Sequence, residues 1–125
     1  MLLYYQYGYY PPDPKNLKVE IKSSKAILNE KAMETRLILS MGPNNAITIR
    51  VDLSVPVKGS GPFPVVITGD RAWGRTEGLE VATDRGYMVA DFYRTDLDPD
   101  DNDRTNGVHP HYPEYDWATL SVWAW

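Results

Sequence analysis

The chain is 125 residues long, 42% apolar and 24% charged, with a formal net charge of −4 and no cysteine. That size and balance fit one globular domain and exclude both a long disordered tail and a nucleic-acid binder relying on bulk positive charge. Without cysteine there is no disulfide, no thiolate metal site and no cysteine nucleophile, and no apolar run approaches the roughly 18–20 residues of a membrane span.

Met1 to Tyr10 is apolar and aromatic, and Pro11, Pro12 and Pro14 stop it. It reads as the last turns of a helix with a rigid exit. Met1 is followed by no basic region and no small-residue cleavage site, so no signal peptide is expected. Three segments with period-2 apolar spacing come next. Leu17, Val19 and Ile21 alternate with polar residues; so do Met33, Thr35, Leu37, Leu39 and Met41; so do Ile47, Ile49, Val51, Leu53 and Val55. Side chains two apart share a strand face, so each segment is expected to bury one face. The spacing predicts an antiparallel meander over 16–23, 32–41 and 46–56, with Gly42-Pro43-Asn44-Asn45 as a turn.

After the loop Lys58–Pro62 the pattern changes. Phe63–Thr68 is a continuous apolar run, which suits a strand covered on both faces in a parallel sheet. Thr76–Arg85 reads as a short helix with Leu79, Ala82 and Val81 inward and Gly86 as a left-handed cap. Tyr87–Tyr93 is a second apolar strand. Strand, helix and strand make a βαβ unit, a crossover that is almost always right-handed. Arg94–Pro113 has no periodicity and is rich in Asp, and long loops of this kind are usually functional or disordered. Glu114–Trp125 reads as an apolar helix. The fold class expected is α/β, an antiparallel meander leading into a parallel βαβ unit of one mixed sheet.

Several constellations bear on chemistry. Asp96, Asp98, Asp100, Asp101 and Asp103 imitate a calcium loop, but Asp101 stands where the turn needs Gly and Gly107 where the bidentate Glu belongs. A solvated acidic loop is the expectation. His109 and His111 flank Pro110, yet a metal site needs three or four ligands; a surface or cleft-lining role is expected, and no metal. No serine lies in Gly-x-Ser-x-Gly, the strained strand-to-helix turn that presents a nucleophile, and the nearest case, Gly59-Ser60-Gly61, sits in a loop. Gly69 and Asp70 follow the first strand of the βαβ unit, where loops line the active sites of open α/β sheets. There a backbone N–H can help bind an oxyanion. Trp73 beside them either packs on the sheet or stacks on a sugar. Gly-x-Gly-x-x-Gly and the P-loop are both absent, so no nucleotide cofactor is expected.

The order of segments resembles a known family. Tyr7-Gly8-Tyr9-Tyr10-Pro11-Pro12 closes the first segment. Gly61-Pro62-Phe63-Pro64-Val65-Val66-Ile67 leads into the first parallel strand and Gly86-Tyr87-Met88-Val89-Ala90 into the second. Tyr115-Asp116-Trp117 runs on to Trp123-Ala124-Trp125. This resembles the N-terminal part of the glucuronoyl esterases and their close carbohydrate-esterase relatives, which are α/β-hydrolases. The resemblance implies that residues 1–125 form a single partial α/β-hydrolase domain, its N-terminal half. It implies a serine-type ester hydrolase acting on glucuronate esters of plant cell-wall xylan, without a cofactor, in relatives that are secreted or periplasmic. The nucleophile motif and its acidic and histidine partners lie further along such enzymes, so no catalytic residue is carried over to this chain. Gly69 and Asp70 are carried over as part of the active-site rim, and with Trp73 beside them they are the candidates for the oxyanion loop or cleft rim. The chain alone is expected to be inactive and to need the remaining C-terminal half; its partner is then a carbohydrate ester, with no nucleic acid and no membrane. Two other readings stand beside this one. One is a fragment of a related acetyl-ester hydrolase. The other is a stand-alone β-rich carbohydrate-binding module with Trp73, Tyr87 and Trp117 as its platform.

Overall fold

The computed structural model describes residues 8–70 and 77–125. In chain order its elements are β1 (Lys18–Ile27), β2 (Ala32–Met41), β3 (Ile47–Pro56), β4 (Val65–Gly69), α1 (Glu77–Asp84), β5 (Met88–Phe92) and α2 (Thr119–Ala124). The strands form one five-stranded sheet in the order β1-β2-β3-β5-β4. β5 runs antiparallel to β3 and parallel to β4, so the meander feeds a parallel pair, as in part of an α/β-hydrolase fold. The helix expected over 1–10 falls mainly on residues 1–7, and Trp73 on the 71–76 stretch, both outside the described residues.

Period 2 decides β3. Ile47, Ile49 and Val51 are all buried. The opposite phase then takes over, with Asp52, Ser54 and Pro56 buried on the other face. The covered face therefore switches midway along β3, whose two edges are paired with β2 and β5. Gly42-Pro43-Asn44-Asn45 turns as expected: Pro43–Asn45 is a short 3-10 turn, and Gly42, Asn44 and Asn45 all have positive φ. α1 ends as the sequence predicts. Gly86 has φ +79 and donates to the Thr83 carbonyl, while Tyr87 donates to Ala82, which closes the last turn in a left-handed cap. Ala82 is buried and Leu79 half-buried, but Val81 faces solvent, a correction to the inward face expected for it.

Three further expectations are corrected. Leu17, Val19 and Ile21 alternate but are exposed, with Ile21 69% exposed, because alternation gives a strand two faces without supplying a layer to cover either. β4 was expected to be covered on both faces, yet Ile67 is 71% and Val65 46% exposed. β4 is an edge strand among the described residues, and one of its faces has little packed over it. The last helix is shorter than expected. It begins at Thr119 after an extended Ala118 (φ −87, ψ 159), because Arg104 ties up the carbonyls of Tyr115 and Trp117.

The described residues fall into two compact units. One comprises 19–39 and 50–93; the other comprises 8–18, 40–49 and 94–125. The first holds the βαβ unit, with α1 packed on β5. The second is built around aromatic rings and the long acidic segment.

Candidate functional site

Gly69 and Asp70 lie at the carboxyl end of β4, the end at which ligands bind in open α/β sheets. Gly69 is in register with Phe92, and the Asp70 N–H donates to the Phe92 carbonyl at 2.8 Å. Asp70 has φ +53, a left-handed conformation that Asp adopts more readily than most residues. The ladder with β5 therefore ends in a sharp change of direction. Both residues are half-buried. This places them together; Trp73 lies outside the described residues.

Just before that end runs a polar row which the sequence reading missed. Asp52 on β3 is in register with Asp91 on β5, and Asp91 with Thr68 on β4. Arg36 on β2 completes it. Its Nε and Nη2 donate to the two Asp52 oxygens at 2.7 and 2.9 Å. The Tyr93 hydroxyl donates to Asp52 Oδ2 at 3.3 Å, and the Arg50 guanidinium sits 4.3 Å over the Tyr93 ring. Thr68 Oγ1 donates to Asp91 at 2.8 Å. Like charges directly opposite on neighbouring strands repel. Here a bidentate guanidinium neutralises the buried member, and the hydrogen bonds to Asp52 hold the Arg36 group above its ordinary value. A signal was available: Asp is poorly suited to strand interiors, yet it stands mid-strand at both 52 and 91. The row fastens four strands directly behind Gly69 and Asp70.

Replacing Arg36 by leucine should cost about 2 kcal/mol in urea unfolding. Removing one partner of a buried pair costs roughly 3–5 kcal/mol, and this arginine is itself partly exposed. Adding Asp52→Leu should recover most of the loss, since the charge needing a partner is gone. A double variant no more stable than Arg36→Leu alone would refute the pairing as the cause.

The acidic segment is more structured than a solvated loop. Asp98 and His109 are both buried, with His109 Nε2 3.3 Å from Asp98 Oδ2. The Trp123 indole donates to the Asp98 carbonyl at 2.8 Å, and the Arg94 guanidinium lies 4.1 Å over the Trp123 ring. Two histidines expected at a surface or cleft thus divide. His109 enters the core, and His111 stays half-buried. Gly107 permits the closure: it has φ +56, and a side-chain carbon there would sit 2.6 Å from both the Leu97 carbonyl oxygen and Asp98 Oδ1. Asp101 and Asp103 serve the local backbone. Asp101 Oδ1 accepts the Asp103 N–H, and Asp103 accepts the Thr105 hydroxyl and N–H. Those Thr105 bonds, the hydroxyl first, hold the Asp103 carboxyl below its ordinary range. Among the described residues no three His, Cys, Asp or Glu are grouped to hold a metal ion. A cleft of about 490 Å³ lies along Asp100–Arg104, His109 and Trp117–Leu120. Trp117 is fully buried, so it cannot serve as an exposed stacking platform.

No family model and no curated protein matches the sequence. Solved structures do. A glucuronoyl esterase from Solibacter usitatus is 23% identical with a TM-score of 0.73, over 95% of this chain and 42% of that one. A CE15 glucuronoyl esterase from Teredinibacter turnerae is 21% identical with a TM-score of 0.66, over 95% and 36%. A promiscuous CE15 esterase from a marine bacterial metagenome is 22% identical with a TM-score of 0.61, over 94% and 41%. The chain spans about two fifths of the length of these proteins, and what it shares with them is their fold: the meander and parallel pair are a partial α/β-hydrolase sheet.

Proposed function

We propose that the chain is the N-terminal scaffold of a serine-type carboxylic ester hydrolase acting on glucuronate esters of plant cell-wall xylan. In this reading residues 1–125 are one half of a single α/β-hydrolase domain. The observation that carries it is a fold match across nearly the whole chain to solved glucuronoyl esterases, of which it spans 42% in the first case. The exposed Val65 and Ile67 on β4 support it, since an edge strand with apolar side chains in solvent needs further cover. Gly69 and Asp70 then contribute a turn on the rim of the cleft that holds the reacting ester. The polar row from Arg36 to Thr68 holds that turn in place. The nucleophile, the base and its acidic partner come from sequence beyond this chain, and acyl transfer to the serine oxygen is followed by hydrolysis with water.

The test is hydrolysis of a methyl or benzyl ester of glucuronic acid by the gene product translated with the coding sequence that follows Trp125. Cleavage of the glucuronate ester in preference to an aryl acetate supports the reading. Preference for the acetate points to the acetyl-ester class. No hydrolysis of either by a folded, extended product overturns the proposal.

A further inference from the structure

β1 is an edge strand: β2 is its only strand neighbour among the described residues, and every residue from Lys18 to Ala26 is exposed. Such an edge offers a row of backbone N–H and C=O groups for pairing. Lysines commonly guard edges of this kind, and Lys18, Lys22 and Lys25 do stand here. Glu20 changes their effect, because it makes the strand complementary to itself. We propose that β1 pairs antiparallel with β1 of a second copy of this chain, about a two-fold axis at Ile21.

The charges select that register. In an antiparallel pair of identical strands, outward-pointing residues meet outward-pointing residues, so facing positions share parity. With the axis at Ile21, Glu20 faces Lys22 of the second copy, and Lys22 faces Glu20 of the second copy. Moving the axis one residue toward the N-terminus sets Glu20 against Glu20; moving it one residue the other way sets Lys22 against Lys22. Both neighbouring registers are repulsive. In the chosen one Ile21 meets Ile21 of the second copy, and Val19 lies diagonal to it. Four apolar side chains then gather on one face, two of which are 57% and 69% exposed in the single chain. Backbone hydrogen bonds and this apolar cluster hold the pair together. The exposed ion pairs are individually weak and mainly fix the register. The inference rests on β1 and does not depend on the esterase reading.

The test is the mass of the 125-residue chain in solution by light scattering. The expected result is a dimer, twice the 14.2 kDa of one chain. Glu20→Lys and Lys22→Glu should each weaken self-association on the order of 100-fold, because each places like charges opposite one another. Mixing the two variants should restore a dimer, seen as a heterodimer by native mass spectrometry. The double variant E20K/K22E should dimerise like the original chain, which covers the case of a single variant that fails to fold. Ile67→Lys, on the other edge strand, should leave the dimer intact. A monomeric original chain, a dimer indifferent to both single charge changes, a mixture that stays monomeric, or a dimer lost through Ile67→Lys would each overturn the proposal.

Discussion

Trp117→Ala will destabilise the chain by about 3–5 kcal/mol, the range for removing a buried large aromatic side chain. Trp117 is 0% exposed. Its ring meets three others edge-on: Trp125 at 5.3 Å between centroids, and Tyr112 and His109 at 6.0 Å each. Such pairs contribute about 0.5–1.5 kcal/mol beyond the area they bury. His109 also borders Asp98, so the cavity opens beside a buried polar pair. Trp117→Phe keeps one ring and should lose less than half as much. Chemical denaturation followed by far-ultraviolet circular dichroism measures both, and a loss under about 1 kcal/mol for the alanine variant would show that the rings are not a mutually supporting core.

The 125-residue chain alone should hydrolyse neither glucuronate esters nor aryl esters. A serine hydrolase needs a hydroxyl on a strained turn, a base within hydrogen-bond reach and donors aimed at the oxyanion. Of these the proposed reading gives the chain at most the Gly69–Asp70 turn, as part of a cleft rim. His109 is buried against Asp98, and Ser60 sits exposed in the loop between β3 and β4 rather than on a strand-to-helix turn. Loss of a complete triad removes about six orders of magnitude in turnover. An assay beside a heat-denatured control, with a fluorophosphonate probe as a second readout, decides the matter. Stoichiometric labelling of a serine together with turnover would show that an active site had been read as scaffold.

The regular elements were legible because each depends on a short window of sequence. Alternation at Ile47, Ile49 and Val51 found β3, the apolar runs found β4 and β5, and Gly86 marked the end of α1. Burial was less legible, because it depends on what lies over a strand. The same alternation at Val19 and Ile21 gave a face with nothing packed on it among the described residues. The candidate site was legible only in part. Gly69 and Asp70 could be placed by following a strand to its end. The alignment of Asp52 with Asp91 and Thr68 is a matter of register, set where three strands distant in sequence come together. Asp98 and His109 are eleven residues apart, and their approach depends on the left-handed turn at Gly107, whose glycine the sequence showed without its purpose.

The Trp125 indole donates to the Pro11 carbonyl at 3.0 Å, and the Tyr9 N–H to the Asp116 carbonyl at 2.7 Å. These bonds join positions more than 100 residues apart, which sets an order of events during synthesis. At about 5–20 residues per second, a ribosome that has made Pro11 needs roughly 6–23 s more to reach Trp125. Within that interval β3, β4 and β5 are all made and can pair with one another. The Tyr9 N–H and the Pro11 carbonyl cannot make these two bonds until Asp116 and Trp125 follow. Pro11, fully buried in the finished fold, must therefore wait in the cell for the last residues of the chain to cover it, whereas Tyr9 and Tyr10 remain exposed even then.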